Sequence, residues 1–399
     1  MNNTNIYQRL GVGTIINAKG PATRLSGGLM AAEVADAMRE ATQYCVDIGA
    51  LQGRASEIIA QVTGAEAGYV TSGAAAGLLL GTAACVTGAD PAKINRLPNA
   101  EGMRNRVIMV RSQRNFYDHA VRAAGVEIVE VGLADRYSGA GVRDAEAWEI
   151  EAAIDADTAC VFFVANPRSR PSLAEVVQVA HNKGVPVLVD AAAQLPPVGN
   201  LRAFISAGAD LVAFSGGKAI GGPQGSGILC GRRELVGAAA LHNLDHDIFF
   251  DQWRPPPALF DKETLPGLPQ HGIGRACKVG KEQIVGLLTA LSLFDESAVS
   301  RRHAACTSIL DEICTNLKAS LQECTHRETN PHSEEPQLRI QPPGFSHAEA
   351  MNLVLSLQDG EPSIQVDPSL VDTGAVVIAP SCLRATDAKP IAQRLNALV

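Results

Sequence analysis

The sequence predicts an α/β protein with a mostly parallel central sheet flanked by helices and a small C-terminal α+β domain. Three observations lead there. From about residue 66 to 230, apolar strand-like runs alternate with helix-like segments. Alternation on this scale implies crossover connections and a sheet covered on both faces. Aromatics make up only 4% of the chain while alanine and glycine are plentiful, which suits close helix–sheet contact. After residue 276 the alternation stops, and longer helical spacing gives way to short strands and helices.

The elements follow in order. An amphipathic helix at residues 33–44 precedes the large domain. Residues 67–71 read as a strand, and a serine–glycine turn leads into an apolar helix at 74–86. Strand 106–110, helix 117–124 and strand 126–131 come next, then helix 144–154 and strand 159–164. Helix 173–182 leads to strand 185–190, and helix 201–207 to strands 211–215 and 227–230. Residues 281–294 are apolar at helical spacing and are expected to continue into a longer, more charged helix to about 321. Residues 326–336 are polar with two prolines and read as an exposed loop. Strand 337–341, helix 347–357, strands 364–366 and 375–378 and helix 388–398 complete the small domain. The expected boundaries are an N-terminal segment at 1–48, a large α/β domain at 49–276, and a linking helix with the small domain at 277–399.

Composition narrows the function. A chain of 399 residues can bury a large core. Its net charge of -8 and scarce aromatics argue against a nucleic-acid binder. Nine cysteines without a C-x-x-C pair fit a reduced, cytoplasmic protein rather than a disulfide scaffold or zinc site. The apolar stretch at 74–86 is too short to span a bilayer and reads as a buried helix.

The chemistry centres on Lys218. An apolar strand runs into it, and Gly216, Gly217, Gly221 and Gly222 surround it. Asp190 ends another apolar run. In parallel α/β sheets, ligands sit beyond the carboxyl ends of strands. A lysine and an aspartate at two such ends suggest pyridoxal 5′-phosphate, with Lys218 as the Schiff base and Asp190 on the pyridinium nitrogen. The glycines are expected to let a planar cofactor approach the backbone. The segment is not a P-loop, because Ala219 follows the lysine and no glycine stands five residues before Gly217.

Other strand ends converge on the same place. Ser72 and Gly73 open the helix after the first strand, where backbone N–H groups can cradle a phosphate. Asn166 follows a strand and can reach the cofactor's 3′-oxygen. Phe116, Tyr117 and His119 are alternatives for stacking on the ring. Arg168, Arg170, Arg275, Lys278 and Arg384 are candidates for a substrate anion. His271 sits beside Arg275 and Lys278 as a further cation. His242 and His246 have metal-binding spacing, but a polar helix end is the better reading, and no metal is expected.

These residues also carry a family resemblance. The chain resembles fold-type I pyridoxal phosphate enzymes of the selenocysteine synthase-like group, and within it the D-glucosaminate-6-phosphate ammonia-lyase-type proteins. The matching stretches are 16–20, 64–76, 117–132, 187–196, 215–227 and 274–291, spread over most of residues 10–295. Ser-Gly-x-Lys-x-x-x-Gly-Pro-Gln-x-x-Gly around Lys218, residues 215–227, is the most specific of them. The resemblance implies that Lys218 carries the cofactor, that Asp190 partners its ring nitrogen, and that Ser72 and Gly73 hold its phosphate with Ser215 nearby. It implies a homodimer or higher even oligomer.

The expected function is a lyase acting on a small amino acid or amino sugar acid, including phosphorylated ones. Lys218 removes the α-proton, a β-substituent leaves, and ammonia and a 2-keto acid result. The same carbanion would serve a racemase, with Tyr117 or His119 as the second acid/base. A tRNA-dependent transferase and a non-catalytic binding protein are the remaining alternatives. No nucleic-acid or membrane partner is expected.

Overall fold

The computed structural model describes residues 5–133, 144–330 and 335–399. The chain forms two compact units, Met30–Phe294 and Met1–Leu29 with Asp295–Val399. Numbered along the chain, the strands of the larger unit are β2 (Ala67–Thr71), β3 (Arg106–Val110), β4 (Glu127–Val131), β5 (Thr158–Val164), β6 (Val187–Asp190), β7 (Leu211–Ser215) and β8 (Gly227–Gly231). Those of the smaller unit are β1 (Ile15–Ala18), β9 (Thr325–Thr329), β10 (Pro336–Ile340), β11 (Ser363–Val366) and β12 (Val376–Ile378).

The larger unit is built on one sheet in the order β2-β8-β7-β6-β5-β3-β4. β3 to β7 and β4 pair in parallel, whereas β8 runs antiparallel to both β7 and β2. The apolar runs of β6 and β8 are buried throughout, as a sheet covered on both faces requires. The apolar helix Ala74–Thr87 is a core element, buried on most of its surface, and no helix among the described residues is long and apolar enough to cross a membrane. Gly81 in that helix brings it close to the sheet: a Cβ there would stand 3.1 Å from Leu188 Cδ1.

The free edge of β2 is covered by a helix that the hydrophobic pattern does not announce, Ile48–Thr63. Gln52 accepts from the Val70 N–H at 3.0 Å and donates to the Val70 carbonyl at 2.8 Å, and Ser56 accepts from the Gly68 N–H at 3.1 Å. Side chains thus take the place of a neighbouring strand, so β2 ends without an open edge.

The smaller unit holds a three-stranded antiparallel sheet, β12-β10-β9, and a parallel pair, β1-β11. Helices Glu296–Asn316, His347–Gln358 and Ala388–Leu398 contribute Leu310, Leu357 and Ile391 to a core shared with Leu338 and Ile378.

Three expectations differ from the structure. The longer, more charged helix is separate and ends earlier than about 321: Lys281–Leu293 stops, and Asp295 caps Glu296–Asn316 by accepting from the Ala298 N–H at 2.6 Å. Part of the loop expected at 326–336 is strand β9, paired along its length with β10; residues 331–334 lie outside the described residues. The domain boundaries expected at 48 and 276 do not coincide with the compact units. β1 pairs with β11, which assigns the first 29 residues to the smaller unit. Helix Ala32–Ala41 lies against Lys281–Leu293, where a Cβ on Gly286 would stand 2.7 Å from Met38 Cγ, and both helices belong to the larger unit.

Candidate active site

Strand register brings Asp190, the Lys218 turn and the Ser72–Gly73 turn to one end of the large sheet. Asp190 pairs with Val164 of β5 and Ala213 of β7. Because β8 is antiparallel, its first residue, Gly227, faces both Ser215 at the end of β7 and Thr71 at the end of β2. The turn carrying Lys218 and the turn of Ser72 and Gly73 therefore flank the same glycine.

Asp190 is buried, and its Oδ1 accepts the Ala192 N–H at 3.0 Å. Burial pushes its carboxyl above the ordinary aspartate range, opposed by that N–H and by the Lys218 charge. Lys218 is half-buried. Burial pushes its amine below the ordinary lysine range, opposed by Asp190. Each charge thus holds the other in a place that disfavours both.

The loop around Lys218 explains its own glycines. The Gly216 N–H donates to the Ser226 carbonyl and the Gly222 N–H to the Gly216 carbonyl, both at 2.9 Å; the Gly221 N–H donates to the Lys218 carbonyl at 3.0 Å. A Cβ on Gly216 would collide with Ser226, and one on Gly217 with Gln224. This corrects the expectation that these two glycines clear space for a cofactor: their space is filled by the returning chain. Gly221 is needed for its positive φ of 77°.

Gly73 has an open cradle. Its φ is 92°, no atom lies within 4 Å of where a Cβ would stand, and it caps the 14-residue helix Ala74–Thr87. The first-turn N–H groups of that helix have no partners within it. Gly227 packs directly beneath: a Cβ there would meet the Gly73 carbonyl carbon at 2.5 Å and the Ala74 nitrogen at 2.6 Å. Ser72 Oγ donates to the Cys277 carbonyl at 2.8 Å, which holds residues 273–277 against the turn. Lys278 follows, exposed, and among the described residues it makes no ion pair. Arg275 is engaged elsewhere, 2.7 Å from Asp245.

Gln113, which the sequence did not single out, lies just beyond β3. Its Oε1 accepts the Val164 N–H at 2.8 Å, and its Nε2 is buried without a partner. Asn166 is exposed, and its Oδ1 accepts the Arg168 N–H at 2.8 Å. Arg168 and Arg170 are exposed on the same loop, and Arg170 Nη1 donates to the Ser169 carbonyl at 2.9 Å. Phe116, Tyr117 and His119 are all exposed, around a buried Asp118 clasped by Arg114 and Arg122. Arg384 belongs to the smaller unit and is exposed.

His242 and His246 are not a solvated polar helix end. Both are buried; His242 Nε2 lies 2.9 Å from Thr87 Oγ1, and neither ring nitrogen of His246 has a partner. Burial lowers each imidazole to about 4. The potential metal-ligand group among the described residues is a different one, the exposed Asp245, Asp247 and His271.

Pyridoxal phosphate fits the residues present. They supply a buried acid, an amine that burial moves toward neutrality, an open glycine at a helix N-terminus, and an unpartnered buried amide nitrogen. Together with the sheet order, they define a fold-type I pyridoxal phosphate enzyme. The chain belongs to the SelA family, L-seryl-tRNA selenium transferase, whose model matches residues 13–253.

Two relatives show the range of this similarity. D-glucosaminate-6-phosphate ammonia lyase of Salmonella typhimurium is 34% identical over 300 residues, covering 73% of this chain and 70% of the relative. 5′-C-glycyluridine monooxygenase-decarboxylase of a Streptomyces species is 28% identical over 98% of this chain and 92% of its own. Among solved structures, a D-glucosaminate-6-phosphate ammonia-lyase superposes with a TM-score of 0.77 at 27% identity, over 99% of this chain and 98% of that one. The cysteine desulfurase CsdA of Escherichia coli, with a TM-score of 0.52 at 17% identity over 100% of this chain and 99% of its own, shares the fold. An ammonia lyase thus stands among both the sequence and the structural relatives, in line with the elimination expected from the sequence.

Proposed function

We propose that this enzyme is an ammonia-releasing lyase for a small 2-amino acid or amino sugar acid that bears a β-hydroxyl. The observation that carries this reading is the Lys218–Asp190 pair at adjoining strand ends, joined by Gly227 to the Ser72–Gly73 turn. When bound, pyridoxal phosphate supplies an electron sink for the pair left at the substrate's α-carbon. Lys218 would hold the cofactor, and its Nζ would accept the α-proton. Asp190 keeps the ring nitrogen protonated. Ser72 and Gly73 would hold the phosphate through their backbone N–H groups, the Ser72 hydroxyl being given to the Cys277 carbonyl, with Ser215 beside them and Lys278 as the nearby cation. Asn166 would serve the 3′-oxygen, and Tyr117 or His119 would cover the ring. Arg168 and Arg170 offer positive charge to a substrate anion, whereas Arg275 is held back by Asp245.

The balance of the reaction is simple. The α C–H bond breaks, and its proton goes to Lys218. The β C–O bond then breaks, and the hydroxyl leaves as water with the proton that Lys218 accepted. Hydrolysis of the unsaturated amino acid takes the water back and releases ammonia and a 2-keto acid. No oxidant is consumed. That separates this reading from an oxidative decarboxylation of the kind named in the Streptomyces relative, which the full-length match favours as a second reading.

The protein is further proposed to be cytoplasmic, to form a homodimer or higher even oligomer, and to bind no nucleic acid. Exposed Phe116, Tyr117 and Phe249 offer apolar surface to a second copy, nine free cysteines suit a reducing compartment, and the net charge is -8. The test is turnover of 2-amino-3-hydroxy acids and aminosugar acids, with and without a phosphate, under anaerobic conditions. Equal amounts of ammonia and keto acid are expected. Loss of optical rotation without ammonia would replace the lyase by a racemase, and a strict need for oxygen would favour the second reading. Lys218→Ala is expected to abolish turnover while the circular dichroism spectrum is unchanged.

A further inference from the structure

We infer that Asn243 is a positioning residue for the cofactor phosphate: backed by Tyr69, it fixes the segment 273–278 against the Ser72–Gly73 turn. The inference rests on the reading of that turn as the phosphate cradle.

Asn243 ends helix Arg233–Asn243 and is buried. Its Nδ2 donates to the Gly274 carbonyl at 2.7 Å and to the Cys277 carbonyl at 3.1 Å. Its Oδ1 accepts the Tyr69 hydroxyl at 2.8 Å. Tyr69 lies within β2, fully buried. The Cys277 carbonyl accepts a second donor, Ser72 Oγ at 2.8 Å. The bonds therefore form a closed circuit. It leaves β2 at Tyr69, passes through Asn243 to Cys277, and returns through Ser72 to the turn that ends the same strand.

The segment has little other freedom. Gly272 and Gly274 lie directly on the helix end, where a Cβ on Gly274 would stand 3.0 Å from the His242 carbonyl oxygen. Replacing the Asn243 donors frees the Cys277 carbonyl from one of its two partners and lets the backbone that carries Lys278 move relative to the Ser72 hydroxyl. The part of the cofactor that senses this is its phosphate.

A purely structural role would weaken binding of any pyridoxal compound equally. The apoprotein is therefore titrated with pyridoxal 5′-phosphate and, separately, with pyridoxal, and the ratio of the two dissociation constants is taken as the phosphate discrimination. Asn243→Asp keeps the shape and the acceptor for Tyr69 but removes both donors; the ratio is expected to fall about tenfold. Tyr69→Phe, which keeps the core filled, is expected to lower it about threefold. A wild-type ratio in Tyr69→Phe, or in folded Asn243→Asp, overturns the inference. If Asn243→Asp does not fold, Tyr69→Phe decides alone. A wild-type protein that binds pyridoxal as tightly as its phosphate would instead refute the cradle itself.

Discussion

Lys218 and Asp190 are each moved toward neutrality by burial and pulled back by the other's charge. A lysine lowered in this way has more neutral amine at a given pH, and the neutral amine is what captures a carbonyl. Cofactor uptake by the apoprotein is expected to rise with pH and level off below the ~10.4 of an exposed lysine. Stopped-flow absorbance at several pH values measures it. Asp190→Asn removes the charge that raises the lysine, so the inflection should move to lower pH, and kcat should fall by about a hundredfold or more. An inflection that moves upward would contradict the pairing. Both residues were legible because Asp190 ends an apolar run and Lys218 stands in the glycine turn just after another, and only buried strands explain those runs. Gln113 was not, since it sits in a polar Arg-Ser-Gln-Arg stretch, and its burial depends on an N–H from β5 some fifty residues later. Asn243 was hidden for the same reason: its partners, Tyr69 and Cys277, are distant in sequence.

At the level of elements, the turn-bearing glycines separate into those packed against the returning chain, such as Gly216, Gly217 and Gly227, and those that face open space, such as Gly73. Gly227→Ala would push a methyl into the Gly73–Ala74 backbone. It is expected to cost about 1–3 kcal/mol of stability by denaturant titration and to weaken cofactor binding as well. The buried histidines bear on a different property. His242 and His246 are held neutral down to about 4, while an ordinary imidazole protonates near 6.5. The unfolded chain therefore binds more protons in that window, and stability is lost as pH falls through it. His246→Leu removes one such group; the slope of unfolding free energy against pH should fall by up to ~1.4 kcal/mol per pH unit between those values. An unchanged slope would mean that the ring is already solvated. Elements with a regular apolar period were legible from the sequence. Helix Ile48–Thr63 was not, because Gln52 and Ser56 stand at buried positions where apolar residues would mark a core face. Strand β9 was missed because Thr-His-Arg-Glu-Thr has no buried side.

For the whole molecule, the assignment of the first 29 residues to the C-terminal unit was beyond local reading, because it depends on a parallel pairing between β1 and β11 at opposite ends of the chain. Both tryptophans, Trp148 and Trp253, lie in the larger unit. Deleting residues 1–29 is expected to shift the far-UV thermal transition downward more than the tryptophan fluorescence transition, since only the smaller unit loses a strand. Equal shifts would refute that division.

The antiparallel strand β8 also sets a timetable. β2 touches the rest of its sheet through β8 alone, and β8 lies more than 150 residues further along the chain. Until residue 231 has left the ribosome, Tyr69 and Val70 have no strand beside them, and helix Ile48–Thr63 can only hold β2 in waiting. The phosphate turn that follows β2 cannot meet the lysine turn before then. Cofactor capture thus waits for at least the first 231 of the 399 residues, and a nascent protein ending at residue 220 would carry the lysine without the place to use it.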